Sequence, residues 1–319
     1  MINKILVSSD HHANWKALEY WFEYASKNNL PFIIPGDVVG DYNFHELAAH
    51  KNLSIPSQYE DNEDTFKLKD LFNEILLFHA KKLAEFIDKY KVKTYFLHGN
   101  HEPIYFTDMV VKELSNKELF VDISKQKGFI KVGEFKIAGI SNTIQLMPYL
   151  YSIFSEQELN EYFSHQRGHH RKSITNLSKD KLDQLEDPID DVDWIRIMTD
   201  NDNELDIFFT HGQIGIGAWR KDKYASEIPT LLAAAKLSNL AKLTVDGHLH
   251  TTHAMRNDLG KPNIRAVGNC AYLVEKQPDG RLSLEELNSN KPYNARGGIT
   301  LSDLEGKKNI SEIDRFLGL

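Results

Sequence analysis

Aspartate, asparagine and histidine side chains gather in five short clusters between residues 10 and 250. They are Asp10-His11-His12, Gly36-Asp37, Gly99-Asn100-His101-Glu102, Thr210-His211-Gly212 and Gly247-His248-Leu249-His250. Residues two apart in an extended segment point the same way, so Asp10 and His12 can reach one ion, as can His248 and His250. Asn100 offers a neutral carbonyl oxygen, and His101 beside it an imidazole able to donate a proton. Gly36 lets the backbone turn sharply and approach a ligand closely just before Asp37. Together Asp10, Asp37 and Asn100 supply three oxygens, and His12, His211, His248 and His250 four imidazoles, with no thiolate. Such a set favours borderline or hard divalent ions such as Mn, Fe, Zn or Ni over a structural cysteine-zinc site. The chemistry indicated is that of a metallohydrolase.

A metal centre needs those ligands to converge at one edge of a sheet, and the elements between the clusters are suited to that. Ile5-Leu6-Val7-Ser8 has the short β-branched composition of a buried strand. Trp15, Leu18, Trp21, Phe22 and Ala25 recur at helical spacing, with Asn29 at the end. Phe32-Ile33-Ile34 is a second strand, stopped by Pro35-Gly36. This β-α-β opening indicates an α/β class with right-handed crossovers. Residues 42–64 carry acids without periodicity and are expected to form a loop or small insertion. Phe66 to Tyr90 is a long amphipathic helix, and Thr94-Tyr95-Phe96-Leu97 a strand. Phe129–Val132 and Phe135–Ala138 flank Gly133-Glu134 as a hairpin. Further strands are expected at Leu205–Phe209, Lys242–Val245, Ile264–Val267 and Ile299–Leu301, and a helical stretch at Ser155–Phe163. All five clusters then fall at strand ends, where ligands bind in open α/β sheets. Residues 1–319 are expected to form one domain, with an insertion or cap at about 144–200.

Composition is ordinary for a soluble globular chain, at 41% hydrophobic and 26% charged over 319 residues. The net charge of −8 argues against broad attraction to nucleic acid or to anionic membranes. One cysteine, Cys270, excludes an intrachain disulfide and is expected to be a small core residue. No apolar run approaches the roughly 20 residues of a membrane span. The first apolar run is too short for a signal peptide, so a cytoplasmic location is expected.

In their order, the five clusters resemble the calcineurin-like metallophosphoesterase superfamily, whose motifs run Asp-X-His, Gly-Asp, Gly-Asn-His-Glu/Asp, a lone His and Gly-His-X-His. The likeness spans about residues 5 to 250. It implies a four-layer α/β/β/α sandwich with a dinuclear metal site at the strand ends. It further implies that Asp10, His12 and His250 hold one divalent ion and that Asn100, His211 and His248 hold the other. Asp37 would bridge them, and a hydroxide shared between the ions would attack phosphorus in line. His101 would act as general acid toward the leaving oxygen. One departure stands out. Ser/Thr protein phosphatases continue Gly-Asp with X-Val-Asp-Arg-Gly, whereas here Gly36-Asp37 is followed by Val38-Val39-Gly40-Asp41. The phosphate-gripping Arg and the His-orienting Asp are absent, unless Glu102 or another acid takes the latter part. The short form looks closer to small bacterial-type phosphoesterases.

The expected activity is therefore hydrolysis of a phosphomonoester or phosphodiester in a small phosphorylated metabolite or a nucleotide. A nuclease or RNA-processing phosphoesterase is the alternative, and a protein phosphatase or a non-catalytic scaffold fits less well. Substrate contacts are expected from Asn14, unless it caps the helix at Trp15. Others are Arg167 and Arg171, within the basic run His165 to Lys172 of the insertion, and Trp219 and Arg220. His11 and His98 are expected to face away from the ions.

Overall fold

A computed structural model describes residues 2–40, 42–126, 128–141, 149–163, 204–212, 240–248, 250, 253–256 and 262–291. Among the described residues, two sheets of six strands each carry the fold. The first holds β1 (Lys4–Val7), β2 (Phe32–Pro35), β3 (Thr94–Leu97) and β4 (Phe120–Asp122), paired in parallel. β4 and the β5 (Ile130–Val132)–β6 (Phe135–Ile140) hairpin follow one another in the chain, and the hairpin opens the second sheet. There β6, β7 (Leu205–Thr210), β8 (Ala241–Asp246) and β10 (Pro262–Arg265) run parallel, with β9 (His253–Arg256) antiparallel on the edge. The chain then returns to the first sheet. β11 (Cys270–Lys276) pairs antiparallel with β1, and β12 (Leu282–Asn288) covers the edge.

Period-two alternation sorts the strand side chains between two cores. Ile5, Val7, Ile33, Tyr95 and Leu97 meet Phe135, Ile137, Ile207, Phe209, Leu243 and Val245 between the sheets. Leu6, Phe32, Ile34 and Phe96 point the other way, into a second core shared with helices. Those helices include α1 (Trp15–Lys27), α2 (Tyr42–His50), α3 (Glu63–Tyr90) and α4 (Phe106–Glu113), with α5 (Leu150–Ile153) and α6 (Glu156–Tyr162) later in the chain. Three layers, helices over sheet over sheet, are thus described. The expected outer helical layer and the expected strand at 299–301 lie outside the described residues.

The α/β class and the parallel strands before each cluster agree with the sequence. Three local expectations need correction. Residues 42–64 are not all loop: Phe44, Leu47 and Ala48 form a helical stripe buried against α3. Helix α3 starts at Glu63 rather than Phe66, because Asn62 accepts from Thr65 N–H at 2.9 Å and acids fill the first turn, where the helix dipole favours them. The strand expected at Ile264–Val267 spans Pro262–Arg265 instead. Cys270 is buried, as expected of a core residue.

Candidate metal centre

Every cluster leaves the carboxyl end of a parallel strand: Asp10 after β1, Asp37 after β2, Asn100 after β3, His211 after β7 and His248 after β8. The two sheets bring these ends together. One group comprises Asp10, His12, Asp37 and His250, and another Asp37, His211 and His248; in each, the potential ligand atoms all lie within 4.8 Å of one another. Asp37 belongs to both. Asn100 joins the second group, its Oδ1 lying 3.0 Å from His211 Nε2 and 2.9 Å from His248 Nδ1.

The donor chemistry fits divalent cations. His12 Nε2 and His250 Nε2 face each other at 2.7 Å, and both face Asp10 Oδ1, at 3.9 and 3.7 Å. Two basic nitrogens turned toward one carboxylate in a buried pocket are what a cation requires. Around Asp37 Oδ2 stand His211, His101 and His12 Nε2 at 3.0, 3.7 and 3.8 Å. His211 Nδ1 is 2.8 Å from the Pro35 carbonyl, which can only accept. That contact puts a proton on Nδ1 and turns Nε2 toward Asp37, the arrangement in which metal-binding imidazoles are held. The side chains of Asp10, His12, Asp37 and His211 are fully buried, whereas His250 is 29% exposed, so solvent reaches the centre on the His250 side.

Charge is strongly redistributed within the cluster. Burial works against charging His211, but Asp37 beside it wins and holds the imidazole at about 10. Burial likewise opposes ionisation of Asp37, yet His101, His211 and His12 keep it well below the usual carboxylate range. Asp10 is pushed up to about 7 by burial, with His211 pulling down and Asp37 pushing up. Burial drives His12 down, as it does His248, to about 3 for the latter, and each feels neighbouring imidazoles. A buried cluster with a strongly held anion at Asp37 and imidazoles kept neutral at His12 and His248 is prepared to take up cations.

The backbone of these loops is unusual. Asp10, His12, Asp37, His248 and His250 all have positive φ, between 44° and 69°. Non-glycine residues rarely adopt that region, and where they do the surroundings must hold them there. Part of the hold comes from tight glycines. Gly36 has φ +92°, and a Cβ on it would lie 2.5 Å from His211 Nδ1 and 2.7 Å from Gly99 Cα. Gly36→Ala is expected to cost about 2–3 kcal/mol through backbone strain and overpacking. It should also displace Asp37; thermal melting and metal binding measured on the same preparation check both effects.

Other sequence candidates fall differently. Asn14 stands at the N-cap position, just before α1, but makes no side-chain cap, which corrects the capping expectation; its Nδ2 donates back to the carbonyls of His11 and His12, at 2.5 and 3.4 Å. His11 is buried edge-on to Phe32, and His98 lies 2.8 Å from Ser124 Oγ. Arg167, Arg171, Trp219 and Arg220 lie outside the described residues, as does most of 144–200. Glu102 does not orient His101 as the missing Asp would. Its carboxylate accepts from the N–H groups of Asp37, Val39 and Gly99, tying two ligand loops together. His101 N–H donates to Asp37 Oδ1 at 3.1 Å. Two groups went unnoticed in the sequence: Ser9, which donates to Asp10 Oδ2 at 2.5 Å, and the Pro35 carbonyl. Ser9 adjoins a ligand, which was a usable signal; a backbone carbonyl leaves none.

Comparison with known proteins adds to this geometry. A solved crystal structure matches at a TM-score of 0.53 and 13% identity, over 90% of this chain and 99% of that one, which shows a shared fold. The protein TT1561 of Thermus thermophilus is also similar, at 11% identity and a TM-score of 0.49 over 91% of this chain and 100% of that one. So is a dimetal phosphatase from Danio rerio, at 10% identity and 0.45 over 90% and 99%. No curated protein matches the sequence. The family model for calcineurin-like phosphoesterases matches residues 3–252, a span that contains all five clusters. The chain is therefore a member of the calcineurin-like phosphoesterases, hydrolases that act on phosphoester bonds.

Proposed function

We propose that the protein is a metal-dependent phosphomonoesterase or phosphodiesterase acting on a small phosphorylated metabolite or a nucleotide. The observation that carries this reading is the sharing of Asp37 between two donor groups, with His101 Nε2 3.7 Å from the same carboxylate. Asp10, His12, His250 and Asp37 would hold one ion, and Asn100, His211, His248 and Asp37 the other. Two divalent cations bound there would polarise a phosphoryl group and acidify water near neutral pH. Asp37 sets the distance between the two groups. His101 would give a proton to the departing oxygen. The net charge of −8 supports a small substrate over a polynucleotide. We further propose a single domain, with 144–200 as an insertion whose Arg167 and Arg171 help hold phosphate.

The deciding experiment strips the protein with chelator, restores Mn, Fe, Zn or Ni separately, and assays p-nitrophenyl phosphate, bis-p-nitrophenyl phosphate and nucleotides. Turnover should appear only with metal. Metal-independent turnover, or none with any ion, would sink the reading. His101→Ala is expected to lower kcat about 10²-fold, the lower end of what a positioned acid contributes. The modest figure follows from geometry: His101 Nδ1 is buried without a hydrogen-bond partner among the described residues, so no described hydrogen bond on that side fixes the ring. The defect should shrink on substrates whose leaving group needs no proton, and kcat compared across aryl and alkyl esters measures it.

A further inference from the structure

Asp246 ends β8 and immediately precedes Gly247-His248-Leu249-His250. Its carboxylate is gripped by Arg265, with Nε donating to Oδ1 at 2.6 Å and Nη2 to Oδ2 at 2.9 Å. Asn263 Nδ2 donates to Oδ2 at 3.0 Å. Asp246, Arg265 and Asn263 are 0%, 2% and 3% exposed, so the ion pair is buried. The pair occupies the last rung of the β8–β10 register, Arg265 opposite Asp246, where strand pairing stops and the ligand loop begins. On the loop's other flank, Gly247 N–H donates to the His211 carbonyl at 3.0 Å and His248 N–H to Asp10 Oδ1 at 2.7 Å.

A buried ion pair adds little net stability over apolar packing of the same volume, so its presence calls for another reason. A bidentate guanidinium fork fixes direction as well as distance, which lysine cannot do. The loop that leaves Asp246 needs such fixing. His248 and His250 hold φ of 69° and 52°, and strained backbone persists only where its surroundings over-determine it. The same loop serves both donor groups, His250 in one and His248 in the other. We infer that Asp246 and Arg265 form a positioning pair that aims the His248–His250 loop, so that one buried fork sets the geometry of both ion sites. The inference rests on the proposed metal reading.

The test titrates chelator-stripped, full-length protein with Zn²⁺ by calorimetry and melts each stripped variant in parallel. Wild type should bind two ions. Arg265→Lys keeps the charge and loses the fork; it should weaken both binding events about 10–100-fold, the scale of outer-shell partners of metal ligands. The double variant Asp246→Asn/Arg265→Gln leaves no lone buried charge and should show the same loss with a nearly unchanged melting temperature. It decides the matter if Arg265→Lys does not fold. Wild-type Zn²⁺ affinity in a folded variant, with or without a drop in melting temperature, makes the pair merely structural and overturns the inference. Absence of Zn²⁺ binding by wild type itself would instead overturn the metal reading, and the inference with it.

Discussion

Asp37→Asn is expected to abolish phosphoester hydrolysis, lowering kcat/KM at least about 10⁴-fold, or roughly 5.5 kcal/mol in the barrier. The size follows from its place in both donor groups. Asparagine keeps the volume and leaves Oδ1 to accept from His101 N–H, a bond now at 3.1 Å. What it removes is the charge. Three imidazole nitrogens, of His211, His101 and His12, lie 3.0–3.8 Å from Oδ2. Without the anion, His211 loses what holds its proton at about 10 against burial, and cations lose the one carboxylate common to both groups. Bound metal, measured by elemental analysis, should fall from two ions to at most one. The stripped fold should change by no more than about 1–2 kcal/mol, because the hydrogen bond to His101 is conserved. A variant keeping two ions and a tenth of the activity would refute the bridging role.

The place of Asp37 at a strand end was visible in the sequence, because chemistry-bearing residues after short apolar strands are a local signal; its bridging role came only from the family resemblance. Asp10, Asp37, Asn100, His211 and His248 each follow such a strand, and the parallel order of β1 to β3 and of β6 to β8 brings them to one edge. Long-range pairing leaves no such trace. β11 returns to β1 with Tyr272 opposite Val7, a partner some 265 positions away, and nothing near either residue announces it. The Asp246–Arg265 fork is hidden for the same reason: it exists only through the β8–β10 register. Positive φ at Asp10, His12, Asp37, His248 and His250 is equally silent, since these residue types are at home in ordinary turns. Helix α2 was obscured by its shortness and by the acidic stretch that follows it. Glu102 was legible as an acid beside the site, but its partners were not, because they are backbone N–H groups on two loops.

Those partners make Glu102→Ala the most damaging change to the fold of the centre. The carboxylate is fully buried and accepts from Asp37 N–H at 3.1 Å, Gly99 N–H at 2.8 Å and Val39 N–H at 2.9 Å. Alanine would orphan three buried donors, each costing about 1–3 kcal/mol, so a loss of roughly 3–6 kcal/mol is expected after partial relaxation. Activity should fall with it, because the loops released carry Asp37 and Asn100. Glu102→Gln is the sharper probe. It retains one acceptor oxygen and turns an NH₂ group toward a donor, so an intermediate loss is expected. pH dependence separates charge from shape. Burial, with Asp37 adding to it, raises Glu102 from 4.5 to about 7. The folded state therefore binds a proton more tightly than the unfolded one. This linkage favours folding below pH 4.5 and is lost as pH rises toward 7. His11, His12, His79, His98 and His248, held neutral by burial, push the other way as pH rises toward 6.5, so the share of Glu102 is read as a difference: relative to stripped wild type, stripped Glu102→Gln should gain stability as pH rises across that window. Denaturant melts at a series of pH values measure the difference. Identical slopes for the two chains would show that Glu102 is held at an ordinary carboxylate value and that the loops are tied by other means.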